Sequence, residues 1–290
     1  MTDDIKWNTR QRFQYIELMA YYTGVISRSD LTKTFGLSDA AATKNLKLYS
    51  EMAPGNLVYQ QNVFGFVPSE SFHEMFADLS PAVVLPMIAA NLAVAGQPFD
   101  EHPIYGVTVD TLPLPGRYPD KAVLAQIIRS IRYRKKLSVR YHSLTDSGRA
   151  PDRIIEPHSL INTGLRWHVR AYNEETYDFR DFVLSRFEQA KRLEQDAESS
   201  AIYDDDWTDI ITLELAPHPG LNDKQRTGLL LDYGITQESV SLPVRRALIG
   251  YVLHRLSVDT TADHSMNPNV YQLIVLNREE IEPFASWAFM

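Results

Sequence analysis

Residues 26–69 carry an ordered series of helix-start and turn signals, and no other stretch constrains the fold as strongly. Ser27 and Asp30 have the spacing of a capping box, in which each side chain accepts the other residue's backbone N–H, and they predict a short helix over 28–35. A Gly-Leu turn follows, after which Ser38 can cap a longer helix that ends near Met52. Two helices joined by a glycine-containing turn of this length predict a helix-turn-helix.

Two flanking segments extend this prediction to a winged helix-turn-helix domain over residues 1–76. Upstream, Thr9 can cap a helix that runs from Arg10 to Thr23 and stops at Gly24, with one apolar stripe along it. Downstream, LVYQQNVFGFV is typical of two short strands around a turn, which would form the wing. The order of these elements favours DNA binding, and the alternative is a small three-helix packing module.

The candidate DNA contacts follow from the helical period of the third predicted helix. Ala42, Leu46 and Tyr49 share an apolar stripe that would face the core, so the other side of the helix would face the duplex. With one second-helix and one wing position added, the predicted DNA-binding residues are Arg28, Ala41, Thr43, Lys44, Lys47 and Tyr59. The chain has a net charge of −8, so one copy would hold phosphates weakly, and we expect a homodimer that reads palindromic double-stranded operator DNA.

Residues 77–118 are interpreted as a linker between domains. From residue 70 to 118 the chain looks mostly like a connection: SFHEMFADL and PAVVLPMIAANLAVAG have helical patterns, and the proline-rich stretch that follows predicts one strand, from Tyr105 to Leu112. We see no residue pattern here that points to chemistry.

Residues 119–196 predict a small β-domain that opens with one helix, from about Asp120 to Lys135. LSVRYHS alternates between apolar and polar residues, as a strand with one buried face does. Turn signals at 162–164 and 173–176 separate RWHVRAY from its neighbours, and FRDFVLSRF alternates again, with Arg180 and Arg186 on one side. Four or five short strands of this kind predict a small, strongly bent sheet or Sm-like barrel.

The polar faces of these predicted strands are rich in arginine and histidine. RWHVRAY alone places two guanidiniums, an imidazole and a phenol on one side of a strand. Arginine grips phosphates through a planar fork and aromatic rings stack on bases, so a converging set favours an anionic ligand. The predicted ligand-binding residues are Tyr141, His158, His168, Arg170, Arg180 and Arg186. The alternative is a salt-bridged surface with nearby acids such as Asp178 and Asp181, and Trp167 is expected in the core.

The order of these segments resembles the WYL-domain transcriptional regulators over nearly the whole chain. RWHVRAY stands where that family has its Trp-Tyr-Leu signature, with Trp167 kept, His168 in place of Tyr and Val169 in place of Leu. With PH before it and FRDFVLSR after it, this form is similar to a subgroup of homodimeric repressors found beside anti-phage defence systems of the BREX and CBASS types. The resemblance implies an N-terminal winged helix for operator DNA, an Sm-like WYL domain that senses a nucleotide or nucleic acid, and a C-terminal dimerisation domain.

Residues 207–290 alternate strands with helices, which predicts a compact α/β layer and makes the chain as a whole α+β. The resemblance assigns dimerisation to this layer. Between residues 194 and 209 there are seven acids and no base, so we interpret this stretch as a solvated connector. His218, between two prolines, is interpreted as a turn residue.

The sequence gives no sign of an enzyme. It has no nucleophile elbow, phosphate loop, dinucleotide fingerprint or zinc-protease helix, so we expect no catalytic residues, no metal and no cofactor. It has no cysteine, no signal-peptide pattern and no membrane-helix pattern, and we expect a cytoplasmic protein.

The leading hypothesis is a homodimeric repressor of a phage-defence locus, with a DNA affinity that changes when the effector binds to the WYL domain. The rival is an adaptor that binds single-stranded nucleic acid through the Sm-like domain without reading an operator. A nuclease accessory protein is the third alternative.

Overall fold

A computed structural model describes residues 5–94, 107, 109–110, 112–144, 151–235 and 237–289. The chain divides into two compact units, Met1–Leu114 and Pro115–Met290. Most of the strand predicted from Tyr105 to Leu112 lies outside the described residues. In the described part of the chain, no helix is long and apolar enough to span a membrane.

The first unit is a winged helix-turn-helix. Its elements are α1 (Trp7–Thr23), α2 (Arg28–Phe35), α3 (Asp39–Met52), the strands β1 (Leu57–Gln60) and β2 (Gly65–Pro68), and α4 (Pro81–Val94). The predicted start of the first helix at Thr9 was wrong: α1 begins at Trp7, and the N–H of Thr9 already binds the carbonyl of Lys6 inside the first turn. The predicted stop is confirmed, because Gly24 takes the left-handed conformation that caps the helix.

The local signals of the helix-turn-helix are confirmed. The backbone N–H of Ser27 donates to Asp30 at 2.7 Å, and the N–H of Asp30 donates to the Ser27 hydroxyl at 3.3 Å. Ser38 caps α3 through the N–H of Ala41, and Gly36 ends α2 at a φ of 61°. The stripe of Ala42, Leu46 and Tyr49 is buried, so the opposite side of α3 is the one that is left exposed.

The segment that joins the wing to α4 is irregular, and its predicted helix over SFHEMFADL was wrong. The buried carboxylate of Glu17 explains why, since it accepts the backbone N–H groups of Met75, Phe76 and Ala77 at 3.0, 2.9 and 2.8 Å. Those N–H groups are then not available to a helix. The core of this unit runs on through Phe76, Leu79 and Val84, so packing continues past residue 76, where the sequence suggested that the domain ends.

The second unit begins with an antiparallel sheet of five strands behind one helix. Its elements are α5 (Lys121–Tyr133), β3 (Lys135–Tyr141), β4 (Asp152–Asn162), β5 (Trp167–Asn173), β6 (Asp178–Val183) and β7 (Phe187–Asp196), with strand order β6-β5-β4-β3-β7. The predicted turns at 162–164 and 173–176 are confirmed as the β4–β5 and β5–β6 connections. Register shifts between β3 and β7 and between β4 and β5 mark bulges in β7 and β4, and bulges bend strands, in agreement with the predicted strongly bent sheet.

The prediction that Arg180 and Arg186 lie on one strand face was wrong. β6 ends at Val183, and Leu184–Arg186 form a 3₁₀ turn. Arg186 is therefore not on the same strand face as Arg180.

The rest of the second unit is the predicted α/β layer. Its elements are α6 (Asp205–Thr208), β8 (Ile210–Pro217), α7 (Asp223–Asp232), β9 (Val240–Arg245), α8 (Ile249–Arg255), β10 (Val258–Asp259), β11 (Leu273–Val275) and α9 (Arg278–Ile281), with sheet order β10-β11-β8-β9. Leu213, Leu215 and Ile249 lie in its core. His218 is a buried turn residue: its Nδ1 accepts the N–H of Gly220, and its Nε2 lies 3.1 Å from Asp259.

Candidate DNA-binding and ligand sites

The exposed side of α3 carries the predicted DNA contacts. Thr43, Lys44 and Lys47 are exposed there, and Ala41 is half-buried at the start of the helix. Lys47 lies 3.9 Å from Glu51, but both side chains are largely in solvent, so this pair is weak and leaves the lysine able to reach a phosphate. Arg28, at the start of α2, and Tyr59, in the wing, are also exposed.

The strand β5 is buried on both faces, which the alternation of RWHVRAY did not reveal. Val169 and Ala171 pack in the core of the sheet. On the other face, His168 and Arg170 are covered by residues of the C-terminal layer. Trp167 is 38% exposed, so its predicted place in the core was wrong.

Arg170 is neutralised from within the chain. Its Nε and Nη2 donate to the two carboxylate oxygens of Asp204 at 2.7 and 2.9 Å, and its Nη1 donates to Asp181 at 3.3 Å. Burial disfavours the guanidinium charge, but these two carboxylates outweigh it and raise the pKa of Arg170. Arg170 is therefore not open to a ligand in this structure, and the salt-bridge alternative describes it better.

Asp204 also corrects the prediction of a solvated connector. It is buried, caps α6 through the N–H of Trp207, and lies 3.2 Å from Nε2 of His158. Burial alone would raise its pKa, but the hydrogen bonds from Arg170 and His158 prevail and hold the pKa at about 2. His158, engaged by Asp204 on one side and by the hydroxyl of Ser159 on the other, is a structural partner in this network.

Two further members of the predicted ligand set are engaged elsewhere. Tyr141 lies in the core between the rings of Phe182 and Phe187, and its hydroxyl accepts the N–H of Val183 at 3.1 Å. Arg180 is half-exposed and its Nε donates to Asp178 at 2.8 Å. Neither side chain faces a shared site with Arg170.

A different group of cations has no counter-charge among the residues that the structure describes. Arg117, Arg166 and Arg186 have no side-chain hydrogen bond or ion pair among the described residues. Burial lowers the pKa of Arg166, and the charges of Arg117 and Arg186 lower it further, so both of these guanidiniums lie within electrostatic range of Arg166. We call these three residues the arginine cluster.

His168 borders the arginine cluster. It is only 1% exposed, and its Nδ1 has no hydrogen-bond partner among the described residues. Burial first, and then the charges of Arg166, Arg186 and Arg117, lower its pKa to about 4, so the ring is neutral at pH 7. Three cations with no partner in the described ranges, beside a neutral imidazole whose Nδ1 has none there either, form a place where an anion would be stabilised. Of the six predicted ligand residues, His168 and Arg186 lie at this place, and the charge of Tyr141 also acts on Arg166, although the ring of Tyr141 is packed in the core.

Tyr251, which the sequence did not predict as a site residue, connects His168 at the arginine cluster to the C-terminal layer. Its ring lies 5.1 Å from that of His168, and its hydroxyl donates to Asp181 at 3.0 Å. Burial and the charge of Asp181 raise the pKa of Tyr251, so it remains a hydrogen-bond donor at neutral pH. The sequence signalled it only as one residue of an amphipathic helix. Arg117 was visible only as one of many basic residues before β3.

Three family models match this chain domain by domain. They are the winged helix-turn-helix domain of the BrxR transcriptional regulator over residues 8–90, the WYL domain over 122–192, and the C-terminal dimerization domain of the BrxR regulator over 210–281. The architecture is thus that of a winged-helix WYL transcriptional regulator.

Similarity to curated relatives identifies the family of regulators to which this chain belongs. The chain is 33% identical over 279 residues to the DNA-binding transcriptional repressor CapW of Escherichia coli strain KTE188, covering 95% of this chain and 91% of that protein. It is 31% identical over 280 residues to the repressor of the same name from Pseudomonas aeruginosa, covering 96% and 92%. This protein belongs to the family of WYL-domain regulators that includes BrxR and CapW.

A solved structure, the proteasome accessory factor B/C of Arthrobacter aurescens, aligns with 97% of this chain and 48% of its own length. The identity is 14% and the TM-score is 0.26.

Proposed function

We propose that this protein is a homodimeric, DNA-binding transcriptional repressor with an operator affinity that is set by an anionic ligand at the arginine cluster. The observation that carries the DNA-binding part is the exposed side of α3, where Thr43, Lys44 and Lys47 stand opposite a fully buried stripe. The curated relatives are named as DNA-binding transcriptional repressors, which supports the same role here.

The small number of cations on α3 favours a dimer. Lys44 and Lys47 are its only basic residues, and the chain carries a net charge of −8. Each phosphate contact adds little affinity, so two copies on a palindromic site would supply what one copy lacks. The match of residues 210–281 to a dimerization domain supports this arrangement.

The arginine cluster supports the effector part of the proposal. Nucleotides and nucleic acids carry phosphates that could neutralise Arg117, Arg166 and Arg186, and their bases could stack on exposed rings such as Trp167. An effector changes DNA affinity only if it binds two conformations unequally. Tyr251 offers a physical connection, since it contacts His168 and belongs to the layer assigned to dimerisation.

The DNA-binding assignment is tested by charge reversal on α3. We expect Lys44→Glu with Lys47→Glu to abolish the gel shift of duplex DNA from upstream of the gene, because two attractive phosphate contacts become repulsive. The matched control is Lys191→Glu with Lys224→Glu, which changes the net charge equally at exposed positions of the other unit. Equal loss of binding in both double variants would contradict the role of α3.

The effector assignment is tested on the arginine cluster. Isothermal titration with a panel of nucleotides and short oligonucleotides should show binding that Arg166→Ala weakens and Arg180→Ala leaves largely intact, because Arg180 is already paired with Asp178. If instead any single strand binds equally well, and Lys44→Ala never affects nucleic-acid binding, the adaptor alternative is correct.

We also propose that the regulated operon is a phage-defence locus, as the resemblance implies. Identifying the neighbouring genes and measuring their transcripts after deletion of this gene tests that assignment. Increased defence-gene transcripts are the expected result.

A further inference from the structure

The wing has a composition that does not suit phosphate binding by charge. Residues 57–68 contain no charged side chain. The tip instead exposes three amides, at Gln60, Gln61 and Asn62, followed by the apolar side chains of Val63 and Phe64. Phe64 is 77% exposed, which is costly for so large an apolar ring. A wing that bound the DNA backbone by charge would carry lysine or arginine, whereas these amides can bind either phosphates or base edges.

We propose that Phe64 is an apolar wedge that enters the minor groove of the operator and unstacks one base step. This inference rests on the proposed function and specifies how the wing would take part in it. Proteins that kink DNA from the minor groove combine two features, namely amide or basic side chains that read the base edges, and an apolar side chain that is inserted between bases. The wing tip has both features within five consecutive residues, from Gln60 to Phe64.

The backbone at the tip supports a role for the ring. Phe64 has a φ of 50°, a left-handed conformation that glycine or asparagine adopts at much lower cost than a bulky residue. Glycine is placed one residue later for another reason: a Cβ on Gly65 would lie 2.5 Å from Cγ2 of Val25 and 3.1 Å from the carbonyl of Ile26. Since the turn itself would be better served by Asn or Gly at position 64, phenylalanine there is best explained by what its ring does.

The wing is held firmly against the helix-turn-helix. Ile26 and Phe66 exchange two backbone hydrogen bonds, of 2.9 and 2.8 Å, and Ile26 lies directly before the cap of α2. The hairpin is thus fixed to the element that positions α3. A wedge needs this rigidity, because a ring on a loose loop would fold back onto the protein and would not unstack bases.

Conformation alone does not mark a wedge, as a second aromatic residue demonstrates. Tyr177, in the β5–β6 turn, has a φ of 56° and is 79% exposed. Its turn contains Glu174 and Glu175, which would repel DNA, whereas the wing is uncharged. Tyr177 therefore serves as a matched control for the loss of a strained, exposed aromatic ring.

The wedge predicts a sequence preference and a salt signature. Pyrimidine–purine steps such as TA and CA/TG unstack most easily, so one should recur where the wing meets the operator. Because Phe64 carries no charge, its removal should weaken binding without changing the slope of log K against log salt, whereas Lys44→Ala should reduce that slope by about 1.

The experiment uses the full chain and a duplex that the wild-type protein selects from a random pool. DNA bending is measured by end-to-end fluorescence transfer, and unstacking by 2-aminopurine placed at each step in turn. Wild type should bend the duplex and brighten 2-aminopurine at one step per half-site. Phe64→Asn, which suits the left-handed backbone, should abolish both signals and weaken binding by about tenfold, the scale of one specific contact. Phe64→Leu should retain part of each signal, and Tyr177→Asn should match wild type.

Several results would overturn the inference. One is a wild-type complex without bending or unstacking; another is a Phe64→Asn complex that retains both. A Phe64→Asn variant that changes the dimer dissociation constant but not the DNA signals would assign the ring to a protein contact. Failure of the wild type to select any duplex would overturn the proposed function itself, so the two failures are distinguishable.

Discussion

Replacing Asp204 by asparagine removes one charge from the ion pair that covers the polar face of β5. The amide oxygen can still cap α6, so the change acts mainly on Arg170 and His158. Removing one partner of a buried ion pair costs about 3–5 kcal/mol, and we expect about 3 kcal/mol because Asp181 still lies 3.3 Å from Nη1 of Arg170. A unit of this size loses about 2–4 °C in Tm per kcal/mol, so the Tm should fall by about 6–12 °C.

Calorimetry of the full chain at pH 7 measures this change against a matched control. Asp206→Asn removes a neighbouring carboxylate that lies 3.9 Å from Nη2 of Arg170 and is largely exposed. An exposed pair contributes about 1 kcal/mol or less, so its Tm should fall by less than about 4 °C. If the two variants melted at the same temperature, the reasoning would be refuted. Arg170 would then be free of Asp204 and open to a ligand, as the sequence suggested.

Three further changes probe other parts of the fold. Glu17→Gln should destabilise the first unit by about 2 kcal/mol, because an amide cannot accept all the N–H groups that the carboxylate accepts; thermal melts should show no comparable effect for the exposed Glu51→Gln. Gly65→Ala should lower the Tm, since the new methyl group would meet Val25 at 2.5 Å, and an unchanged Tm would mean that the wing can shift freely. His168 has a folded-state pKa of about 4, below its ordinary 6.5, so the unfolded chain binds more protons between these values. The stability that comes from its neutral ring is complete above pH 6.5 and is lost as the pH falls through 4. A plot of Tm against pH should therefore be flatter over this range for His168→Gln than for the wild type.

The elements that could be predicted from the sequence are those with local signals. The capping box of Ser27 and Asp30, the cap at Ser38 and the two hairpin turns of the sheet depend on residues a few positions apart, and the structure contains all of them. The helix predicted over SFHEMFADL failed because a distant residue decides its conformation. Glu17 takes the backbone N–H groups of that segment, and nothing within the segment itself indicates this.

The sequence predicted that the candidate ligand site is cationic, but it did not predict which of the cations are accessible. Alternation in RWHVRAY identified which side chains share a face, but not what covers that face. Asp204, 34 residues after Arg170, looked like part of an acidic connector because composition cannot distinguish a solvated carboxylate from a buried one. The arginine cluster could not be found from periodicity either, since Arg117 and Arg186 lie outside regular strands and reach Arg166 only in the folded chain.

The Glu17 carboxylate has a practical consequence for exchanging parts between relatives. A chimaera joined after residue 76 would take position 77, whose backbone N–H Glu17 accepts, and the core positions of Leu79 and Val84 from the other sequence. Such a protein would carry an intact α3 in a domain that no longer folds well. Its failure to bind DNA could be mistaken for incompatible operator specificity. A junction placed after α4, at residue 94 or later, keeps the carboxylate, its three backbone donors and the core on one side of the splice.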